Sequence, residues 1–152
     1  EMAQQEDAGD NPNSVDAGYM HGELGVELDK ITLKLGTEVL EGSAADGAFS
    51  TPLATLHKFN GWADKFLATP GTGLEDTYVS ISSTVNDVAL TAVMHEFASE
   101  SGSNDWGSEI DFAASLQLKE GMKVGAKYAD FSSDDAAYAD TAKMWLWVAM
   151  SF

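Results

Sequence analysis

The chain has 152 residues, with 25 acidic and eight basic side chains, all eight of them lysine, so its formal net charge at pH 7 is −17. Nucleic acids and anionic headgroups are bound by clusters of Lys and Arg, and this balance argues against both as direct partners. Because the chain contains no cysteine, disulfides, thiolate metal sites and cysteine catalysis are excluded.

The length suits a single domain. The longest apolar runs, such as 144–150, are far shorter than the ~20 residues that a spanning helix requires, so we expect no transmembrane helix. Residues 1–15 are polar and lack an apolar leader. We expect a loop there, with any signal peptide removed or lying upstream.

A period of two residues, typical of β-strands, recurs about seven times along the chain, with hardly any helical period. In chain order, the predicted strands cover 17–28, 30–40, 74–83, 87–97, 109–118 and 122–129, followed by a C-terminal strand of about ten residues. The sequence therefore predicts an all-β, antiparallel fold.

Each predicted strand has an apolar face and a face of polar and small residues. In EIDFAASLQL, for example, Ile110, Phe112 and Leu116 lie on one face, while Glu109 and Asp111 lie on the other. Two architectures are compatible with this pattern. One is a soluble sandwich or lipocalin-like barrel with the apolar face inside, and the other is a transmembrane barrel with the apolar face outside.

The lengths of the connections favour the membrane alternative. Short and long connections alternate strictly, as in barrels that have tight turns on the periplasmic rim and long loops outside. The short turns are predicted near Asp29, at 84–87 and at 119–121, and the long connections at 41–73, 98–107 and 132–138.

The last strand, TAKMWLWVAMSF, alternates apolar residues up to a terminal aromatic residue, Phe152. This ending resembles the C-terminal signal by which outer-membrane barrels are recognised for insertion, so we expect Phe152 to act as an assembly signal. Tyr128 and Phe112 fall on the apolar face, where an interfacial aromatic girdle is expected.

Several segments together resemble bacterial porins of the alginate-export-like family. The likeness runs from about Tyr19 to Phe152, and FNGWADKFL next to a TPxxGLxD pattern is its most distinctive part. The resembling segments are STPLATLHKFNGWADKFLATPGTGLEDTYVSI, GSEIDFAASLQL, AKYADFSSDD and KMWLWVAMSF.

The resemblance implies an antiparallel transmembrane β-barrel in the outer membrane of a Gram-negative bacterium, inserted by the barrel-assembly machinery. Members of the family are single-chain barrels of well over a dozen strands, so this chain is expected to supply about half of one, the C-terminal part. Seven strands are also an odd number, whereas single-chain bacterial barrels use even ones. We therefore expect further strands from upstream sequence or from another chain.

One feature departs from an exporter of polyanionic alginate, which is expected to line its path with Arg and Lys. Acidic residues outnumber lysine on the predicted lumen face, and arginine is absent, so small solutes or neutral sugars are favoured as cargo. The predicted lumen-facing residues are His21, Glu23, Glu27, Lys34, Glu38, Asp76, His95, Glu109, Asp111, Lys123, Lys127, Lys143, Trp145 and Trp147.

The long connection at 41–73 is the strongest candidate for a functional element. Aromatic and small residues at i, i+3, i+4 and i+7 predict a short amphipathic helix, which either folds into the lumen and narrows it or pins the loop to the barrel wall. The constriction candidates are Lys58, Phe59, Asn60, Trp62, Asp64, Lys65 and Phe66. Trp145 and Trp147 are expected to pack against this loop or to stack on a solute.

Metal binding and catalysis have little support. His21, His57 and His95 are far apart and lack metal-ligand spacing, no nucleophile-elbow motif is present, and the acidic loops do not match a calcium loop. We expect no metal, no cofactor and no enzymatic activity. The expected function is an outer-membrane channel for small solutes whose partners are membrane lipid and lipopolysaccharide. The alternatives are a surface barrel that binds a partner through its loops and a soluble β-domain.

Overall fold

A computed structural model describes residues 1–7, 15–43 and 45–151. The described residues form one eight-stranded antiparallel sheet, with strand order β1-β2-β3-β6-β7-β8-β9-β10, and a separate two-stranded ribbon of β4 and β5. The strands are β1 (Met2–Glu6), β2 (Asp16–Leu28), β3 (Ile31–Leu40), β4 (Gly42–Ser43), β5 (Gly47–Ala48), β6 (Leu74–Val85), β7 (Val88–Ala98), β8 (Asp105–Lys119), β9 (Met122–Ser133) and β10 (Thr141–Met150).

The all-β, antiparallel prediction is confirmed, and each of the seven predicted strands is present. The expected loop at 1–15 is wrong in part, because Met2–Glu6 pairs with β2 in the register Met2↔Met20 to Glu6↔Asp16. The sequence MAQQE has no apolar alternation, and its strand is made by backbone pairing at the sheet edge. The main sheet therefore has eight strands in the described part of the chain, so the expected odd number of seven is wrong.

The short turns join strands that are neighbours in the sheet. Between β6 and β7 the register Val85↔Val88 leaves a two-residue turn, in which Asn86 and Asp87 both have positive φ, 47° and 66°. Two left-handed residues define the hairpin turn whose twist matches that of the flanking strands, and Asn and Asp tolerate this conformation best after Gly.

Short and long connections alternate in the structure as predicted. Because the strands are antiparallel, the turns at Asp29, at Asn86 and at Gly121 lie on one rim, and the connections 41–73, 99–104 and 134–140 lie on the other. The end of β10 reaches the short-turn rim, where the Ser151 N–H donates to the Gly121 carbonyl at 2.8 Å. Phe152, the expected assembly signal, lies outside the described residues.

The two faces of the sheet differ sharply in chemistry. On the face called here the open face, large apolar side chains remain exposed, among them Leu24 (79%), Leu146 (75%) and Met144 (70%). The opposite face, called the covered face, is contacted by residues 57–66. Residues in register share a face, so the alternation of each strand extends over the whole sheet.

Apolar and charged side chains are buried together on the covered side. The buried apolar cluster consists of Leu40, Trp62, Ala63, Phe66, Leu74, Phe97, Trp106, Ala129 and Phe131. Asp76, His95, Glu109 and Asp111 are buried as well. In a soluble sheet the apolar strand face is buried and charged residues face water, so the distribution here is the reverse.

The sheet is not closed within the described part of the chain, since β1 pairs only with β2 and β10 only with β9. Both edges therefore present unpaired backbone N–H and C=O groups. None of the described residues belongs to a helix long and apolar enough to cross a membrane.

Candidate functional site

Residues 57–66 cross the covered face as a series of turns. The predicted helix is wrong, because His57, Asn60 and Asp64 have positive φ (55°, 50° and 57°), as does Gly61 at 79°. Left-handed residues at this spacing are incompatible with a right-handed helix. The apolar periodicity has another cause: Trp62, Ala63 and Phe66 are buried against the sheet in the turn conformation.

The backbone of this segment is held by two carboxylates of β8. Glu109 accepts hydrogen bonds from the Trp62 N–H and, at 2.7 Å, from the Ala63 N–H. Asp111 accepts a longer one from the Trp62 N–H at 3.2 Å. Gly61 makes this approach possible, because a Cβ there would lie 2.6 Å from Glu109 Oε2.

Three lysines attach other parts of the segment to the sheet. Lys127 of β9 donates to the His57 carbonyl at 2.9 Å and lies over the Trp62 ring, 4.5 Å from its centroid. Lys143 of β10 donates to Asp64 at 3.3 Å. Lys65 donates from the segment itself to the Ala139 carbonyl at 2.9 Å. Electrostatic contacts thus supplement the apolar packing.

The two tryptophans of β10 have different surroundings. The centroid of the Trp145 ring lies 4.5 Å from that of the His57 ring, so Trp145 packs against the segment. His57 Nδ1 in turn lies 2.5 Å from Asp64 Oδ2. Trp147 lies nearer the short-turn rim, where Lys123 is 5.7 Å from its ring centroid. The expected packing of tryptophan on the loop therefore holds for the first only.

His95 and Asp76 form a buried pair that the sequence did not predict. His95 Nδ1 lies 2.8 Å from Asp76 Oδ1, and its Nε2 lies 3.6 Å from Asp111 Oδ2. The imidazole ring stacks on Phe97 at 5.4 Å. Pairing and stacking account for a buried histidine, and the described residues contain no cluster of His, Asp and Glu arranged to hold a metal ion.

A cavity of about 640 Å³ opens between the segment and five strands of the sheet, β2, β3, β6, β7 and β9. Its lining consists of Glu1, Tyr19, His21, Glu23, Lys34, Glu38, Lys58, Phe59, Asn60, Trp62, Asp76, Tyr78, Ser80, Ser82, Thr91, Val93, His95 and Lys127.

Two hydrogen-bond chains organise the cavity wall. In the first, Glu38 accepts from the Tyr19 hydroxyl at 2.7 Å and from the Asn60 amide at 2.8 Å. In the second, the Tyr78 hydroxyl donates to Glu23 at 2.8 Å and lies 2.9 Å from His21 Nε2, and Lys34 also donates to Glu23 at 2.8 Å. The side chains of these two chains are thus held in position by hydrogen bonds.

The predicted lumen residues all occupy the covered face, but only some meet the cavity. Glu109, Asp111 and Lys143 hold the segment, while Glu27 and Lys123 lie towards the short-turn rim. Sequence reasoning missed Tyr19 and Tyr78. Each tyrosine is two residues away from a polar residue that was assigned to the lumen face, so the alternation of its strand places it on the same face. This alternation could have predicted both.

The arrangement could bind a polar molecule: it offers hydroxyl, carboxylate and ammonium groups beside aromatic rings, around an open space. No protein-family model matches the chain, and no curated protein or solved structure is significantly similar to it.

Proposed function

We propose that this chain forms part of the wall of an outer-membrane β-barrel channel through which small polar solutes diffuse. The observation that carries the proposal is the reversed distribution of side chains. Apolar residues are exposed on the open face, while carboxylates, lysines and a cavity lie on the covered face. Such a sheet is stable where the open face meets hydrocarbon and the covered face meets water.

The dimensions support a barrel larger than eight strands. An eight-stranded barrel has an interior just wide enough for its own side chains or for one small ligand. Here the covered face carries the 57–66 segment and also a cavity of about 640 Å³. Further strands, from upstream sequence or another chain, would pair with the free edges of β1 and β10 and close the wall.

In this channel the 57–66 segment is the constriction, because it lies across the covered face, over the predicted lumen wall, and is held there by Glu109 and Lys127. Acidic residues exceed lysines over the whole chain, which favours cations over anions in the pore. Alginate is an unsuitable cargo for the part of the wall that this chain supplies, because the chain contains no arginine.

The proposal places the chain in the bacterial outer membrane, with lipid against the open face. The acidic rim residues Glu100, Asp134 and Asp135 would meet lipopolysaccharide through bridging divalent cations. Insertion would use the barrel-assembly machinery.

Single-channel recording tests the function. The complete protein, refolded in detergent and added to a planar lipid bilayer, should produce stepwise currents with a modest preference for K⁺ over Cl⁻. This preference should decrease at high salt because screening shortens the range of the wall charges. The unfolded protein in the same detergent is the control. A folded, membrane-inserted protein that gives no current steps would contradict the proposal.

A further inference from the structure

We propose that the cavity beside Phe59 is a binding site for one uncharged sugar ring. This inference rests on the proposed channel function and adds the class of solute. The volume of the cavity, about 640 Å³, lies within the ~300–1,000 Å³ typical of small-molecule sites.

Phe59 supplies the stacking surface on the side of its ring away from Lys58, whose Nζ lies 4.8 Å from the ring centroid. It is the one large aromatic residue of the 57–66 segment that is not buried, with 48% of its surface exposed. It lines the main cavity and also the adjoining one of about 340 Å³ towards Phe49. The apolar C–H face of a sugar ring fits an exposed aromatic ring of this kind.

The hydroxyl groups of a sugar would meet groups that both donate and accept. Tyr78 and His21 form one hydrogen-bonded pair, and Glu38 with Asn60 forms another on the side nearer the segment. Ser80 and Ser82 add two hydroxyls from the same strand as Tyr78. A ring with several hydroxyls can replace water at these positions without leaving polar groups unpaired.

The charges of the cavity disfavour an ionic ligand. Three lysines and four carboxylates line it, so neither an anion nor a cation meets a wall of one opposite sign. Three of these carboxylates are already engaged: Glu23 with Lys34, Glu38 with Asn60, and Asp76 with His95. A cation would have to displace these partners, and an anion would lie against the carboxylates.

The test uses the complete protein in planar bilayers and three probes: maltotriose as a neutral sugar, trigalacturonate as an anionic one and chitotriose with free amino groups as a cationic one. Maltotriose should interrupt the current most strongly. Phe59→Ala should weaken this block at least tenfold, and Tyr78→Phe should weaken it severalfold. Leu56→Ala is the matched control, because Leu56 is an exposed residue of the same loop outside the cavity lining, and it should leave the block unchanged.

Quenching of tryptophan fluorescence gives a second readout that does not depend on conduction, because Trp62 lines the cavity. Maltotriose should change the fluorescence of the detergent-solubilised protein, and Phe59→Ala should abolish the change. Current steps without sugar block or fluorescence response would overturn the sugar site and leave the channel standing. A fluorescence response without current steps would overturn the channel instead. Stronger block by either charged probe would also overturn the neutral-sugar proposal.

Discussion

Glu109 connects the sheet to the segment that crosses it. Its carboxylate is buried and accepts the backbone N–H groups of Trp62 and Ala63. The backbone N–H groups of a turn that packs against a sheet do not take part in the hydrogen bonds between strands. Each buried N–H group of this kind needs another acceptor. A charged acceptor gives stronger hydrogen bonds than a neutral one. Glu109 therefore fixes the position of the 57–66 segment along strand β8.

Glu109→Ala should destabilise the protein by about 1–3 kcal/mol, because the buried Ala63 N–H loses its acceptor and the Trp62 N–H keeps only its longer hydrogen bond to Asp111. The measurement is the free energy of unfolding by urea in lipid vesicles. Glu96→Ala is the control, since Glu96 is exposed on the open face of the neighbouring strand β7, and it should change stability by less than about 0.5 kcal/mol. Equal effects of the two substitutions would show that Glu109 does not anchor the segment.

Val79→Arg tests the environment of the open face. Val79 is 52% exposed in the middle of β6, so in water the substitution should be nearly neutral. Against hydrocarbon it should cost about 2–4 kcal/mol. The measurement is again the free energy of unfolding by urea in lipid vesicles. Ser82→Arg, on the covered face, is the control and should change this free energy only slightly. A neutral Val79→Arg would place the open face in water.

The alternation of side chains between the two faces of each strand was predictable from the sequence, because the period of two follows from strand geometry alone. The contacts of Glu109 with Trp62 and of His95 with Asp76 were not. They join residues brought together by strand order and by the path of the long connection. No local pattern in the sequence encodes either.

The strands and hairpin turns were predictable as elements, whereas the 57–66 segment was not. Its apolar spacing matches a helix, but Asn60-Gly61 and Asp64 are residue types that tolerate positive φ, and the structure uses them in that conformation. Turn chemistry therefore prevailed over periodicity. Strand β1 was missed for a different reason, since an edge strand with one backbone partner needs no apolar alternation.

Deleting residues 57–67 should raise single-channel conductance severalfold, because the segment occupies part of the wall surface that ions would otherwise pass. Recording in planar bilayers compares the deletion with the intact protein. Shortening the 99–104 loop, which lies on the same rim, is the control and should leave conductance nearly unchanged. If the deletion also leaves it unchanged, the segment lies outside the conducting path.

The molecule as a whole has two different rims, and this asymmetry predicts its orientation. Glu100 is exposed in the connection after β7, on the long-loop rim, and Glu120 is exposed in the turn after β8, on the short-turn rim. In outer-membrane barrels the long loops face outside. A glutamate-specific protease applied to intact cells should therefore cut at Glu100 and spare Glu120, while lysed cells should be cut at both. Cleavage at Glu120 in intact cells would reverse the orientation.

Closure of the sheet is the property that neither strand pattern nor turn chemistry could predict. Local sequence determines where each hairpin forms, but it does not determine what pairs with the outer edges of β1 and β10. Under the proposed channel function, the outer edges of β1 and β10 would pair with further strands of a wider wall.

Under the proposed function, the open face of this sheet contacts lipid. Single cysteines are introduced along β6 at Val79, Ser80, Ile81 and Ser82, in a chain that itself contains no cysteine, and are spin-labelled in the protein in vesicles. Electron paramagnetic resonance should find labels at Val79 and Ile81 accessible to oxygen dissolved in lipid, and labels at Ser80 and Ser82 accessible to a water-soluble nickel complex. Access of the nickel complex to Val79 and Ile81 would contradict the membrane account.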